Sequence, residues 1–226
     1  MTAPLTDSLG NPVTLRDESS LAAINDFVEG FIACEARAVN VLQAQADASP
    51  LVQAYCAALH MFAESADAPR NARPFIQQAR ARAHEASERE QRLVAAVAAW
   101  VDGDLPRAIA LHKEQARLHP RDLASLKLGQ YHLFNRGDSP AMLRLALQAQ
   151  HAAADVPYLH GMLAFGWEQC HRLKEAEVAA RRAIALRRKE PWAHHALAHV
   201  MLTQGRIREG IDFMSSVSDT WTGLNS

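Results

Sequence analysis

The spacing of apolar residues predicts helices in the first part of the chain. Over residues 21–46, apolar side chains recur at helical spacing on one face, and Gly30 interrupts this stripe, where we expect the helix to bend. A second helix is expected to begin at Ser49-Pro50, because proline is favoured in the first helical position. We expect residues 66–73 to form a loop and a polar third helix to begin at Pro74.

A regular period begins further along the chain. Ser87 and Glu90 have the spacing of a capping box and predict a helix that stops at Gly103. From Gly103, steps of 34 residues lead to Gly137, His171 and Gly205. Most of the flanking positions in the same register hold small or apolar residues, with Gln130, Ser139 and Gln115 as exceptions.

A 34-residue period with a helix on each side of a turn is typical of tetratricopeptide repeats. One hairpin of this kind cannot bury its apolar face alone, so hairpins stack. The sequence therefore predicts an all-α fold, a right-handed solenoid of stacked antiparallel helix hairpins. Residues 1–87 are expected to add less regular helices to the solenoid, and residues 88–226 to form the repeats, with a truncated C-terminal end. The alternative is an irregular helical bundle whose glycines share a register by coincidence.

Composition supports helices and excludes some classes of function. Alanine accounts for 43 of 226 residues, which favours closely packed helices over a sheet. With 24 basic and 25 acidic side chains the net charge is -1, so no nucleic-acid partner is expected. No signal peptide is recognised at the N-terminus, and the longest apolar run, residues 93–101, is too short to span a membrane. Three widely separated cysteines are typical of reduced thiols, so we predict a cytoplasmic protein without a membrane partner.

The repeat register also predicts a concave groove. In tetratricopeptide repeats, the side of each first helix about 100° from the packed small residues lines the concave surface, so the resemblance to these repeats implies that the same positions line a groove here. The predicted ligand-binding residues are Trp100, Lys127, Tyr131, Asn135, Tyr158, Phe165, Glu168, Trp192, His195 and His199. Their mixture of aromatic and polar side chains is typical of a recognition surface. For the apolar members, burial in an ordinary core is the alternative.

His195 and His199 are the candidate metal ligands. They stand one helical turn apart, so both rings can project from one face and bind a divalent metal. The residues between them lack the glutamate of a His-Glu-x-x-His motif, and a third ligand would have to come from elsewhere. No phosphate-binding loop, nucleophile elbow or catalytic residue is recognised, so no cofactor is predicted apart from this metal.

Several stretches resemble the tetratricopeptide repeat protein 38 family. They are residues 10–20, residues 88–104, residues 119–123, residues 161–166 with Ala176-Glu177, residues 192–200, and residues 210–214 with Trp221. The resemblance implies a repeat scaffold and matches His195 and His199 to a spaced histidine pair. It also implies that the second half of the family's chain is missing here, which would leave any site shared with that half incomplete.

Two functions follow as hypotheses. The first is a scaffold that binds a protein segment, a peptide or a small molecule in its concave groove. The second is a small-molecule or metal-dependent activity that uses His195 and His199; an enzyme is the less favoured of the two. An exposed apolar face at the last hairpin, with Ile207 and Ile211, predicts a homodimer, unless Trp221 folds back over Phe213 and caps the end.

Overall fold

The computed structural model describes residues 5–225 and has an all-α fold. Residues 1–4, at the start of the predicted unit 1–87 and of the segment searched for a signal peptide, lie outside the described residues. Residue 226, the last of the predicted unit 88–226, also lies outside them. The helices are α1 (Leu21–Ile32), α2 (Pro50–Met61), α3 (Ala68–Arg82), α4 (Glu88–Val101), α5 (Leu105–Leu118), α6 (Leu123–Asn135), α7 (Ser139–Gln148), α8 (Pro157–Gln169), α9 (Leu173–Leu186), α10 (Pro191–Thr203) and α11 (Ile207–Val217). Short 3-10 helices occur at Glu18–Ser20, Ala36–Ala44, Ala83–Glu85 and Ser218–Trp221.

The helices from α4 onward form four consecutive hairpins. The pairs are α4 with α5, α6 with α7, α8 with α9, and α10 with α11, and neighbouring pairs pack against each other. Helices α2 and α3 form an additional pair that packs on α4. One cluster of buried side chains extends from Leu9 to Met201 through these layers. The predicted all-α helical-repeat fold is confirmed.

The turn inside each of the four hairpins has the same backbone geometry. Gly103, Gly137, His171 and Gly205 all adopt positive φ, between 59° and 82°. In the first turn, Asp104 N donates to Ala99 O at 2.8 Å and Gly103 N donates to Trp100 O at 3.0 Å. The same two hydrogen bonds recur in the other three turns and define a Schellman motif, which satisfies carbonyls at the helix end. The predicted 34-residue register is therefore confirmed at every turn.

The prediction of one helix over residues 21–46 is wrong. Helix α1 ends at Ile32, and the chain reverses through Cys34, which has a φ of 54°. The 3-10 helix Ala36–Ala44 then runs back along α1. Gly30 permits this close return, because a Cβ atom there would lie 2.7 Å from Ala38 N. The apolar spacing continues across the reversal because α1 and the 3-10 helix each bury one apolar face.

The predicted loop over residues 66–73 is also wrong. Helix α3 begins at Ala68, six residues before Pro74, and Pro74 lies inside it. Pro69 occupies the first turn, where a missing backbone N–H costs little. The helix accepts Pro74 because its other face packs on α2 and α4.

The C-terminal tail packs against the chain reversal that follows α1. Asn225 N donates to Cys34 O at 2.7 Å, and Ala36 N donates to Gly223 O at 2.8 Å. Nearby, Trp221 Nε1 donates to His194 Nδ1 at 3.2 Å. The C-terminal tail is thus tied both to the last hairpin and to the reversal after α1. Over residues 5–225, none of the helices has the length and apolarity that crossing a bilayer requires.

Candidate functional site

A cavity of about 250 Å³ lies between α1 and the first helices of several hairpins. Helix α1 packs against α6, so it covers part of the surface where an open groove was expected. The residues that line the cavity are Gly30, Phe31, Cys34, Ala38, Leu59, Phe62, Lys127, Gln130, Tyr131, Phe134, Met142, Phe165, Trp192 and Asn225. This set is largely apolar and includes residues from α1 and the reversal after it and one residue of the C-terminal tail. We call this cavity the α1 pocket.

Aromatic rings in mutual contact form two walls of the α1 pocket. On one side, Phe62 packs edge-on against Tyr131, with ring centroids 5.0 Å apart. On the other side, Phe165 packs against Phe134 at 5.3 Å and against Trp192 at 5.0 Å. Such pairs hold each other in place, so the walls are preformed for an apolar guest.

Lys127 is the single charged side chain among the residues that line the α1 pocket. It is buried, with 6% of its surface exposed, and its Nζ lies 3.3 Å from the centre of the Trp192 ring. Within residues 5–225 the ammonium makes no ion pair and no hydrogen bond, although Cys34 and Glu190 are near enough to act on its charge. Burial lowers the pKa of Lys127 to about 8, against an ordinary value of 10.5. The cation–π contact is therefore its principal stabilising interaction.

Glu190 is buried close to Lys127 but does not line the pocket. Its Oε2 accepts a hydrogen bond from Ala193 N at 2.6 Å and caps α10, while its Oε1 has no donor among the described residues. Burial raises the pKa of Glu190 to about 7, and the charge of Lys127 opposes that rise. Gly161 provides the space for this carboxyl, because a Cβ atom there would lie 2.4 Å from Oε2.

Three more polar groups border the pocket. The Gln130 amide donates to Met142 O at 3.2 Å and to Met162 O at 3.4 Å, which leaves its buried Oε1 without a donor in the described structure. The buried indole N–H of Trp192 has no oxygen or nitrogen acceptor there and lies beside the Cys34 thiol. Burial raises the pKa of Cys34, so the group is a thiol at neutral pH.

The structure distributes the ten predicted groove residues over four environments. Four of them line the α1 pocket: Lys127, Tyr131, Phe165 and Trp192. Trp100 and Tyr158 are buried, with 8% and 3% of their surfaces exposed, so they belong to the core. Trp100 packs behind Tyr131, and Tyr158 lies beneath the Arg187 guanidinium. Asn135 is exposed at the end of α6.

The remaining three predicted residues form a small cluster beside Phe165. The rings of His195 and His199 are 4.1 Å apart, and His199 Nδ1 lies 3.2 Å from Glu168 Oε1. Burial and the neighbouring His199 lower the pKa of His195. In the range 5–225, no group of three or more histidine, cysteine, aspartate or glutamate side chains is arranged to hold a metal ion. The geometry thus brings the histidine pair together without completing a ligand set.

The sequence did not identify the pocket residues that come from α1, from the reversal after it and from the C-terminal tail. Phe31 belonged to a predicted apolar stripe, but no pattern indicated that α1 would lie over the repeats. Cys34, Ala38 and Asn225 carry no signal at all, because their position depends on the chain reversal after Ile32. Gln130 could have been identified, because it is a polar residue at a repeat position where the other repeats have small residues.

Comparison with known proteins identifies the same fold. No protein-family model matches the chain. Among solved structures, MamA residues 41 to the end from Desulfovibrio magneticus RS-1 is 16% identical, with a TM-score of 0.53, over 75% of this chain and 97% of that one. A MamA RS-1 ArsTM double mutant has a TM-score of 0.52 at 16% identity, over 74% of this chain and 94% of that one. MamA MSR-1 has a TM-score of 0.50 at 16% identity, over 74% and 95% of the two chains.

These likenesses are similarities of fold alone. They support a tetratricopeptide-like helical repeat for this chain. The narrower resemblance to the tetratricopeptide repeat protein 38 family rests on the sequence stretches alone and stays a hypothesis.

Proposed function

We propose that this chain is a helical-repeat binding scaffold whose ligand site is the α1 pocket. The observation that supports the proposal is an apolar cavity of about 250 Å³ with walls of mutually packed aromatic rings. Small-molecule sites are characteristically concave, mostly apolar and preformed, with a few polar groups that fix orientation. The α1 pocket has each of these features.

A small ligand fits this geometry better than a long protein segment. An extended peptide needs a continuous open groove, whereas α1 and the residues around Asn225 cover part of the concave side. A protein partner would reach the pocket with a single apolar side chain. The cytoplasmic location and the metal-dependent alternative at His195 and His199 remain predictions from the sequence, and the enzyme hypothesis gains no third ligand from the described residues.

Titration of n-octanol into the protein, followed by calorimetry, tests the proposal. We expect saturable binding that Leu59→Trp abolishes, because Leu59 is a half-buried residue of the pocket lining and the larger indole fills the cavity. Leu186→Trp is the matched control, since Leu186 lies on α9 with 38% of its surface exposed. Absence of n-octanol binding, or equal binding by the two variants, would exclude the α1 pocket as the site.

A further inference from the structure

The α1 pocket combines an apolar body with one buried cation. Phe31, Phe62 and Phe134 face the same cavity as the Lys127 ammonium. A guest with one apolar end and one polar end would therefore meet two different surfaces in this pocket. The chemistry of the polar end can be deduced from the groups that surround Lys127.

Lys127 has three N–H donors and uses none of them in a hydrogen bond to the described protein. One side of the ammonium faces the Trp192 ring at 3.3 Å, and the ring offers no lone pair to accept a hydrogen bond. The Trp192 indole N–H is a second buried donor without an oxygen or nitrogen acceptor in the described chain. The Trp192 N–H lies against the Cys34 sulfur, so the group that still favours an acceptor in the cavity is the Lys127 ammonium, and its positive charge makes an anionic acceptor the favourable one.

The acidic neighbour of Lys127 does not meet this demand. The Glu190 carboxyl lies beyond ion-pair distance of Lys127 and outside the pocket lining, and its Oε2 is engaged with the start of α10. Burial raises the pKa of Glu190 to about 7, so near neutral pH a substantial fraction of this group carries no charge. Among the described residues, the lining of the cavity therefore includes a cation and no anion.

We propose that the α1 pocket selects small amphiphilic carboxylates, with the carboxylate bound to Lys127 and the apolar body held by the aromatic walls. This inference rests on the proposed function, because it assigns a ligand class to the same pocket. A medium-chain carboxylate has the required parts, a compact anion at one end and an unbranched apolar chain. The pocket would accept the same chemistry from a free acid or from an apolar tail that ends in a carboxylate.

The test compares three ligands that share one chain and differ only in head group. Calorimetric titrations use n-octanoate, n-octanol and n-octylamine with the unmodified protein, with Lys127→Met and with Lys113→Met. Lys113→Met is the matched control, because Lys113 is exposed on α5. A charge-assisted hydrogen bond that is made only by the acid should give n-octanoate at least about tenfold tighter binding than n-octanol. We expect n-octylamine to bind most weakly.

Each outcome separates this inference from the proposed function. In Lys127→Met, n-octanoate should lose its advantage, while n-octanol binding persists and reports that the pocket is still folded. Equal affinities for n-octanoate and n-octanol in the unmodified protein would overturn the carboxylate inference and leave the apolar pocket standing. An advantage for n-octanoate that survives in Lys127→Met would also overturn it. Failure of all three ligands to bind would instead contradict the proposed function itself.

Discussion

Lys127 destabilises the unliganded fold while it prepares the α1 pocket. The side chain is buried and its ammonium has no anion in contact, so the charged form loses hydration that the Trp192 ring restores only in part. A pKa that falls from 10.5 to about 8 corresponds to a free-energy cost on the order of 3 kcal/mol at neutral pH. A residue that weakens the fold in this way is typical of a binding site.

The first prediction is that Lys127→Met stabilises the unliganded protein. Methionine fills a similar volume and removes the buried charge but also the cation–π contact, so we expect the free energy of unfolding to rise by about 1–3 kcal/mol at pH 7. Urea unfolding measures this change, and the exposed Lys113→Met should leave it near zero. The gain should disappear as the pH rises through 10.5, because both chains are then uncharged at this position. If Lys127→Met instead lowered the free energy of unfolding at pH 7, interactions within the folded protein would already stabilise the Lys127 ammonium.

The second prediction concerns two buried histidines whose rings lie 5.7 Å apart. Burial lowers the pKa of His112 to about 3 and that of His132 to about 4, against an ordinary value of 6.5. The folded state therefore holds both rings neutral, and the stability they contribute is complete above pH 6.5 and is lost as the pH falls toward 4. Glu190, whose pKa is raised, acts in the opposite direction over this range.

His132→Phe isolates the contribution of one ring. His132 packs edge-on against Trp100 at 4.8 Å, and phenylalanine can keep that contact. The stability of the unmodified protein relative to this variant should fall by about 1.4 kcal/mol for each pH unit between 6.5 and 4. Because Glu190 is present in both proteins, its effect cancels in the difference. Urea midpoints that fall in parallel in both proteins would contradict a neutral buried His132.

At the scale of the helix hairpins, one turn differs from the other three. His171 adopts a φ of 59° at the position where the other turns have glycine. A side chain with a Cβ atom is strained in this conformation by about 1–2 kcal/mol.

The third prediction is that His171→Gly raises the free energy of unfolding by up to about 1 kcal/mol, and that Gly205→Ala, the reverse change in the same register, lowers it by a similar amount. Thermal or urea melts of the two variants provide the measurement; changes of equal sign would contradict a shared turn geometry.

The helices of the repeats could be predicted from the sequence because their determinants are local. Gly103, Gly137 and Gly205 mark left-handed turns, and the capping box of Ser87 with Glu90 is present in the structure as predicted. The reversal at Cys34 could not be predicted, because a cysteine at positive φ has no sequence signature. The candidate site was predicted only where it lies on the repeats, at Lys127, Tyr131, Phe165 and Trp192. The rest depends on contacts between residues that are about 200 positions apart, such as Cys34 and Asn225.

At the scale of the whole molecule, the last hairpin retains an exposed apolar face. Ile207 and Ile211 have 49% and 62% of their surfaces exposed on α11, and Leu202 has 64% exposed on α10. The tail covers a different part of the same hairpin, where Trp221 contacts His194 and His194 contacts Phe213. The tail therefore covers one side of the last hairpin through Trp221, while Ile207 and Ile211 on its other side stay exposed.

The fourth prediction is that this face forms a homodimer. We expect sedimentation at micromolar concentration to give a species of twice the chain mass of 24.9 kDa, since burial of Ile207 and Ile211 against a second copy removes apolar surface from water. Ile207→Asp combined with Ile211→Asp should give the monomer, and Leu118→Asp, a change at an exposed leucine on α5, should not. An unmodified protein that sediments as a monomer and does not change on dilution would exclude the dimer.

The contact between the C-terminal tail and the reversal after α1 has a consequence for synthesis on the ribosome. Each repeat needs only its sequence neighbours, so α4 to α11 can pack in order as they emerge. The α1 pocket cannot, because its lining includes Gly30 and Asn225, and the segment around Cys34 finds its hydrogen-bond partners only at residues 223–225. A nascent chain therefore carries an unfinished cavity throughout the synthesis of its repeats. A small apolar ligand would therefore meet a complete site only after residue 225 has left the ribosome.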